Sequence, residues 1–381
     1  MGPNNLFRFF RQATLTAYNL NRAIGVPVFH RHPRMGDVAE HPFALPLYDE
    51  DYTVDLVWEA DDTIDSFMLS KKLPVYDQKQ FNFNCMNKLD LLVKCGERIE
   101  ETRHMTGIDY FFKAAELETN PPVLNIDSIS NLAFHLQQKF YPCVGIIYGR
   151  RCLPSQKRWM ESYKNIAENY LRPANIRFIV QKFIQRQLKN TRFIAVHWRF
   201  DSDWLDMCKE SRKRGARDRN AGICRLVMGL SYDKQIRDRF ANNIKKIMKE
   251  RNMQKIYLAS PPNNIDLIRE LKKSFGEDNF FYYDDMISFV NHTMYPGYAG
   301  NNYFSSFLEQ ELCFQSSFFL GAPLSSWTQS VLIERLAVEK TDYDDVLRIV
   351  TEGGHDPPPP GYPPLILQSP EGDFQFSVSK F

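Results

Sequence analysis

The second half of the chain alternates between two hydrophobic patterns. Continuous apolar runs, which are typical of parallel strands covered on both faces, predict strands at 192–200, 255–259, 279–283 and 316–321. Apolar residues spaced three to four positions apart predict helices at 234–251, 264–275, 305–315 and 327–339. Strands that alternate with helices indicate a parallel sheet, so we expect an α/β fold.

The first half is less regular. Residues 5–22 fit one helix, which follows a turn at Gly2–Asn5 and leads through Gly25 into a strand. A doubly wound domain needs a strand before that turn, so we expect an amino terminus that is truncated by one element or mispredicted. Further along, the pattern predicts helices near 86–102, 127–140, 157–170 and 174–189, and a strand at 143–148.

Length and composition indicate two domains and a tail. With 381 residues and 43% hydrophobic content, the chain can build two α/β cores. The basic end of the helix at 174–189 suits a helix carboxyl terminus and places the boundary near residue 190. After residue 352 glycine and proline dominate, which predicts an irregular or polyproline spacer. The expected division is therefore 1–189, 190–352 and a proline-rich tail at 353–381.

The charge balance narrows the function classes. Lys and Arg number 48 against 46 Asp and Glu, which argues against a nucleic-acid binder that relies on a basic field. No apolar stretch is long enough to span a membrane. Arg8, Arg11, Asn19 and Asn21 interrupt what would be the apolar core of a signal peptide, so none is expected.

The cysteines form no C-x-x-C pair, which argues against a zinc ribbon or a thioredoxin-like site. Six of the seven fall into three local pairs: Cys85 with Cys95, Cys143 with Cys152, and Cys208 with Cys224. Either Cys208 and Cys224 are bridged or all seven cysteines are reduced. Cys313 lies in a helical apolar pattern and is expected to be buried. Asn291-His292-Thr293 matches the acceptor pattern for N-glycosylation.

The strand at 192–200 carries the most informative polar residues. After the apolar run Phe193–Val196, His197 and Arg199 are two positions apart and share one side of an extended chain. Doubly wound proteins bind ligands at the carboxyl edge of the sheet, where a guanidinium with five donors suits a phosphate. The alternative is that Arg199 only pairs with a neighbouring carboxylate.

A second candidate segment, Gly321–Ser330, follows the last predicted strand. Ser325, Ser326 and Thr328 lie at the start of a helix, where free N–H groups and a partial positive charge favour a diphosphate. The alternative is plain capping of the helix by Ser325 or Ser326. Glu309, on the preceding helix, is expected at the same edge of the sheet.

In order and spacing, these motifs resemble the GDP-fucose protein O-fucosyltransferase family, closest to the enzymes that fucosylate EGF-like repeats. The resemblance covers roughly residues 2–30 and 175–340. It rests on His197-Trp198-Arg199, Ser202-Asp203-Trp204 with Cys208, Leu324-Ser325-Ser326-Trp327-Thr328, Glu334-Arg335, Gly2-Pro3-Asn4-Asn5 and Leu20–Pro27.

The resemblance implies a GT-B-like architecture, with two Rossmann-like domains and the donor site in the cleft between them. It implies an inverting, metal-independent transferase that moves fucose from GDP-fucose to a Ser or Thr hydroxyl of a disulfide-rich protein. No cofactor, nucleic acid or membrane span is expected, and the implied protein is a monomer of the endoplasmic reticulum lumen. Neither a signal peptide nor a retention tetrapeptide is recognisable in the chain.

Carried over by position, the resemblance also implies the roles of individual residues. Arg199 would clamp the β-phosphate and stabilise the departing diphosphate, which makes it the catalytic residue. Ser325 and Ser326 would share the phosphates, and His197 would contact the nucleoside. The substrate-binding residues implied are Gly2, Pro3, Asn4, Asn5, His197, Trp198, Arg199, Asp203, Glu309, Ser325 and Ser326.

Two departures from the family pattern support an alternative function. Leu6 follows Asn5 where relatives commonly have glutamine, and Pro261 stands where they tend to have aspartate. A degenerate member that only binds a nucleotide sugar or a protein is therefore the second hypothesis, and transfer to a glycan is the third. Asp201 and Asp203 could hold Mn²⁺ or Mg²⁺, but only Asp203 has a counterpart in the family, so we expect no metal site.

Overall fold

The computed structural model divides the chain into two compact units, Met1–Pro173 and Ala174–Phe381. The residues it describes are 3–26, 29–30, 57–58, 63–95, 117–118, 121–126, 129–148, 156–199, 205–206, 208–210, 224, 227–230, 233–260, 265–293, 302–322, 325–346, 348–349, 367–368 and 374–375. Within this part of the chain, no helix is both long and apolar enough to cross a membrane.

The first unit contains five helices and seven strands among its described residues. In chain order they are α1 (Pro3–Asn19), β1 (Ile24–Gly25), β2 (Phe29–His30), β3 (Val57–Trp58), α2 (Ser66–Leu69), β4 (Val75–Tyr76), α3 (Gln78–Asn84), β5 (Leu91–Cys95), β6 (Val123–Ile126), α4 (Ile129–Gln138), β7 (Val144–Tyr148) and α5 (Gln156–Ala167).

A three-stranded parallel sheet in the order β6-β5-β7 organises the first unit. The predicted strand at 143–148 and the predicted helices near 127–140 and 157–170 are confirmed as β7, α4 and α5. The helix predicted near 86–102 is wrong, because Leu91–Cys95 forms the central strand. Leu91 and Val93 are buried there with Ile126 and Leu132, and a strand covered on both faces shows no alternation that separates it from a buried helix.

Helix α1 begins earlier than the sequence predicts. Pro3, Asn4 and Asn5 form its first turn instead of a separate loop. Proline is well suited to this position, because its fixed φ matches the helix and its missing N–H is not needed there. Just after the helix ends at Asn19, Asn21 has a φ of 51°, and the N–H of Arg22 donates to the carbonyl of Ala17 at 2.9 Å.

Two disulfide bonds are described, Cys85–Cys143 and Cys208–Cys224. The local pairings of Cys85 with Cys95 and of Cys143 with Cys152 are therefore wrong. The bond between Cys85 and Cys143 follows from the sheet, because Cys85 precedes β5, Cys143 precedes β7, and the two strands pair in parallel. Cys313 is not disulfide-bonded and is buried, as its pattern predicts.

The second unit contains six helices and seven strands among its described residues. They are α6 (Ala174–Arg186), β8 (Phe193–His197), α7 (Lys234–Glu250), β9 (Lys255–Ala259), α8 (Ile265–Phe275), β10 (Phe280–Tyr282), α9 (Tyr283–Thr293), α10 (Asn302–Gln315), β11 (Phe318–Gly321), α11 (Ser326–Ala337), β12 (Tyr343–Asp345), β13 (Leu367–Gln368) and β14 (Phe374–Gln375). Strands β13 and β14 pair antiparallel within the segment expected to be a tail.

The division into two compact units falls before α6, whereas the sequence analysis places the domain boundary after that helix. Phe183 of α6 packs edge-on against the rings of Tyr257, Phe281 and Phe289, at centroid distances of 6.0, 6.1 and 5.5 Å. Helix α6 therefore contributes to the core of the second unit, although its basic end resembles the close of a domain.

A five-stranded parallel sheet in the order β10-β9-β8-β11-β12 forms the centre of the second unit. Counted within the unit this is the order 3-2-1-4-5, in which the winding direction reverses between β8 and β11. Every residue of β8, β9 and β11 is buried. A ligand from solvent can therefore reach these strands only where they end, and β8 and β11 end side by side.

Candidate functional site

The candidate site lies where β8 and β11 end, at the reversal of strand order. Such a switch point is the usual ligand site of an open α/β sheet, because the helices after the two strands leave on opposite faces. His197 is the last residue of β8. Helix α11 begins a few residues after Gly321, the last residue of β11. Both segments singled out in the sequence therefore meet at one edge of one sheet.

His197 joins the two segments directly. Its side chain is buried, and its Nδ1 lies 2.6 Å from the Oγ1 of Thr328. The imidazole stacks on the ring of Trp327, with 4.0 Å between centroids and 22° between planes. Burial, and then the positive charge of Arg199, hold the pKa of His197 well below its usual range. The imidazole is therefore neutral at physiological pH.

The start of α11 is capped by its own serine. Ser325 has extended backbone angles, and its hydroxyl accepts the N–H of Thr328 at 3.4 Å. Of the two roles the sequence leaves open for Ser325, the structure shows capping. A hydroxyl that accepts one bond still has a hydrogen to donate, and the first N–H groups of α11 have no acceptor within the helix. Capping is thus compatible with an anion at this helix terminus.

Trp327 is held on two sides. Its ring lies against His197, and its Nε1 donates to the Oγ of Ser306 on α10 at 2.9 Å. Only 8% of the residue is exposed. The pairing of Trp327 with His197 is not predicted from the sequence, although Trp327 is part of a motif that was singled out. The sequence signal that pointed to Trp327 was its position next to Ser325 and Ser326.

Arg199 and Trp198 have different surroundings. Arg199 is partly exposed just beyond β8, and its charge acts on the His197 imidazole. Trp198 is 1% exposed and packs in the core against Phe240, with 6.3 Å between ring centroids. Neighbouring residues on an extended chain face opposite sides, so His197 and Trp198 cannot both face the site. Trp198 therefore packs in the core beside the strand, and its contact with the substrate stays a prediction.

Glu309 lies in a second buried polar cluster. Its Oε1 accepts a hydrogen bond from the hydroxyl of Tyr257 at 3.1 Å. Tyr257 is the middle residue of β9 and does not lie at the edge of the sheet where the strands end. Burial raises the pKa of Glu309 to about 8, and the bond from Tyr257 opposes this rise. The pKa of Tyr257 is well above its usual range, because of burial and the neighbouring Glu309. The carboxyl group of Glu309 thus bonds to the sheet through Tyr257, and its contact with the substrate stays a prediction.

The structure describes only some of the remaining predicted site residues. Gly2 and Asp203 lie outside the described residues, as does Asp201, the other carboxylate weighed as a metal ligand. Pro3, Asn4 and Asn5 are in α1 of the first unit, and the description of Ser326 is limited to its backbone in α11. Across the described ranges, no group of three or more His, Cys, Asp or Glu side chains is arranged to hold a metal ion.

A helix amino terminus at the switch point of a parallel sheet is typical of α/β proteins that bind phosphate-containing ligands. The sequence model described as "GDP-fucose protein O-fucosyltransferase" matches residues 59–337, which is most of the chain. The chain therefore belongs to the GDP-fucose protein O-fucosyltransferase family, and it is a fucosyltransferase by that membership.

Solved structures support the same fold. A crystal structure of POFUT1 in complex with GDP-fucose aligns with a TM-score of 0.57 at 14% identity, over 91% of this chain and 95% of that one. A structure of POFUT1 in complex with GDP aligns with the same TM-score and coverage at 13% identity. The predicted α/β, GT-B-like fold class is thereby confirmed. No curated protein matches the chain significantly in sequence.

Proposed function

We propose that the protein transfers fucose from GDP-fucose to a Ser or Thr hydroxyl of a protein, with inversion and without a metal ion. The observation that carries this proposal is the bond between His197 and Thr328 across the switch point. It joins the end of β8, which leads to Arg199, to the start of α11. The identity of the donor is inferred from the family to which the chain belongs. POFUT1, whose structure aligns with this chain, was crystallised in complex with GDP-fucose.

The diphosphate of the donor is assigned to the start of α11. There the N–H groups of the first turn and the hydroxyls of Ser325 and Ser326 offer donors, and the helix dipole adds partial positive charge. Arg199 offers two parallel N–H donors to the β-phosphate. Since His197 is neutral, Arg199 and not His197 carries the full positive charge among the described residues that follow β8. Together these groups take the place that a divalent cation has in other nucleotide-sugar transferases.

His197 and Trp327 are assigned to the nucleoside. The two rings stack on each other, which fixes the imidazole, and the remaining edge of the neutral imidazole can make one directional hydrogen bond. Gly2, Pro3, Asn4, Asn5 and Asp203 remain candidates for the sugar and diphosphate on the strength of the family resemblance alone.

In the proposed reaction the bond between fucose C1 and the β-phosphate oxygen breaks while the acceptor hydroxyl bonds to C1 from the opposite face. The electron pair of the broken bond stays with GDP, so negative charge grows on the diphosphate. Arg199 stabilises that charge more in the transition state than in the ground state, which is what accelerates the step. The proton of the acceptor passes to a base or to the diphosphate itself, and one displacement inverts the configuration.

The protein acceptor is proposed to be a folded, disulfide-rich module in the lumen of the endoplasmic reticulum, where the enzyme acts as a monomer. Two features support an oxidising compartment: the disulfide bonds of the chain, and the exposure of Asn291 in its glycosylation acceptor pattern.

The test is a transfer reaction with GDP-fucose and a folded EGF-like module, run with and without EDTA, with the anomeric configuration of the product read by NMR. We expect one fucose on a Ser or Thr, inverted relative to the donor, at a rate that EDTA does not change. The same module with that Ser or Thr replaced by alanine is the control.

Other outcomes separate the alternatives. Binding of GDP-fucose without transfer to protein or glycan would make the chain a binding module, the role that Leu6 and Pro261 favour. Transfer to a glycan but not to the folded module would overturn the acceptor assignment. Loss of transfer in EDTA would contradict the metal-independent mechanism.

A further inference from the structure

We propose that Thr328 fixes the tautomer of His197: its hydroxyl donates to Nδ1, so that the ring carries its one proton on Nε2. Thr328 would thus be a positioning residue for the nucleoside contact, and this part of the inference rests on the proposed function. The tautomer itself does not, because it is a property of the free protein.

The inference starts from two hydrogen bonds at one buried oxygen. Thr328 is 1% exposed, and its Oγ1 accepts the backbone N–H of Ala322 at 3.1 Å. The same oxygen lies 2.6 Å from the Nδ1 of His197. A threonine hydroxyl has one hydrogen and two lone pairs, and the Ala322 N–H already occupies one lone pair.

The buried hydroxyl hydrogen needs an acceptor, because an unsatisfied buried polar group destabilises the folded protein. An unprotonated Nδ1 is such an acceptor, at the short distance that suits an O–H donor. With that assignment the N–H of Ala322, the hydroxyl of Thr328 and the Nδ1 of His197 each have a partner. If Nδ1 carried the proton instead, it would donate to Thr328 and leave the hydroxyl hydrogen to find another acceptor.

The surroundings of His197 remove the third possibility, a ring protonated on both nitrogens. The imidazole is buried and feels the positive charge of Arg199, so the doubly protonated form is disfavoured. Stacking on Trp327 fixes the plane of the ring. The free edge of the ring therefore presents a single N–H donor, which would select an acceptor atom on the nucleoside of the donor substrate.

One hydroxyl thereby couples two parts of the site. The Oγ1 of Thr328 accepts the N–H of Ala322, which is the first residue after β11. The N–H of Thr328 itself donates to the hydroxyl of Ser325. Its side chain also orients His197 at the end of β8. The phosphate-binding turn and the nucleoside contact are thus tied together at Thr328.

The test compares Thr328→Val, which keeps the shape without the hydroxyl, with Thr328→Ser, which keeps the hydroxyl. Long-range ¹H–¹⁵N spectra of the ligand-free protein report which ring nitrogen is protonated, and His197→Gln assigns the signals. We expect the Nε2–H form in the wild type and in Thr328→Ser, and loss of that preference in Thr328→Val. GDP affinity should fall about 3- to 10-fold in Thr328→Val, the worth of one hydrogen bond, and about 2-fold at most in Thr328→Ser.

Three results would overturn the inference: an Nδ1–H form in the wild type, a doubly protonated ring at neutral pH, or an unchanged tautomer in Thr328→Val. Should Thr328→Val not fold, the spectra of the wild type and Thr328→Ser still decide it. A wild-type protein with the Nε2–H form that does not bind GDP would refute the proposed function while leaving the tautomer assignment intact.

Discussion

Replacing Glu309 with glutamine should change how stability depends on pH. Glu309 is buried on α10 and bonded to the hydroxyl of Tyr257, and burial raises its pKa from 4.5 to about 8. Between these pH values the unfolded chain has an ionised Glu309 and the native protein a protonated one. Glutamine keeps the acceptor oxygen for Tyr257 and does not titrate.

The sign follows from proton linkage. Because the pKa is raised in the native state, the contribution of Glu309 is fully present below about pH 4.5 and is lost as the pH rises to about 8. One proton corresponds to about 1.4 kcal/mol per pH unit, so the whole interval amounts to about 5 kcal/mol. From about pH 5.5 to 7.5, the stability of Glu309→Gln relative to the wild type should therefore rise by about 3 kcal/mol.

Urea unfolding at several pH values, followed by tryptophan fluorescence, measures this difference. Glu250→Gln is the matched control, since Glu250 is exposed at the end of α7 and its substitution should leave the curve parallel to the wild type. A Glu309→Gln curve that also runs parallel to the wild type would refute the reasoning, because it would mean that Glu309 is ionised in the native protein.

Three further tests address the packing that supports the site. Arg335→Met should lower the free energy of unfolding by about 3 kcal/mol or more, because the buried guanidinium of Arg335 donates to the carbonyls at the end of α10. The control is Arg251→Met, which removes an exposed arginine and should lower the free energy of unfolding by less than about 1 kcal/mol. Replacing Cys208 and Cys224 together by serine should cost about 3 kcal/mol in urea unfolding, through the entropy of the loop they close, and an unchanged midpoint would contradict this. Trp198→Leu should lower the melting temperature but leave GDP affinity within about 2-fold in calorimetry, whereas a large loss of affinity in a folded variant would return Trp198 to the site.

Much of the second unit could be predicted because its strands are buried on both faces. Strands β8, β9, β10 and β11 stand out as apolar runs, and helices α7, α8, α10 and α11 show clear periodicity. Helix α9 was missed because it follows β10 without a turn. Strand β12 was missed because two of its three residues are aspartates.

The site was predictable only where one segment carried the signal. His197 and Ser325 each stand at the end of a recognisable element, so their positions follow from the chain itself. The contacts of His197 with Trp327 and Thr328 join residues far apart in sequence, and no local pattern encodes them. The same reason explains Glu309, whose polar character suggested a ligand but whose partner on β9 became visible only in the folded protein.

Calorimetric titration of GDP into the wild type and Arg199→Ala tests most directly whether this edge of the sheet holds the donor diphosphate. Arg192→Ala is the matched control, because Arg192 is an exposed arginine just before the same strand. We predict that Arg199→Ala weakens GDP binding about 10- to 100-fold, the worth of hydrogen bonds to a charged group, while Arg192→Ala binds like the wild type. Equal affinity of Arg199→Ala and the wild type would contradict the assignment of the diphosphate to Arg199 and the start of α11.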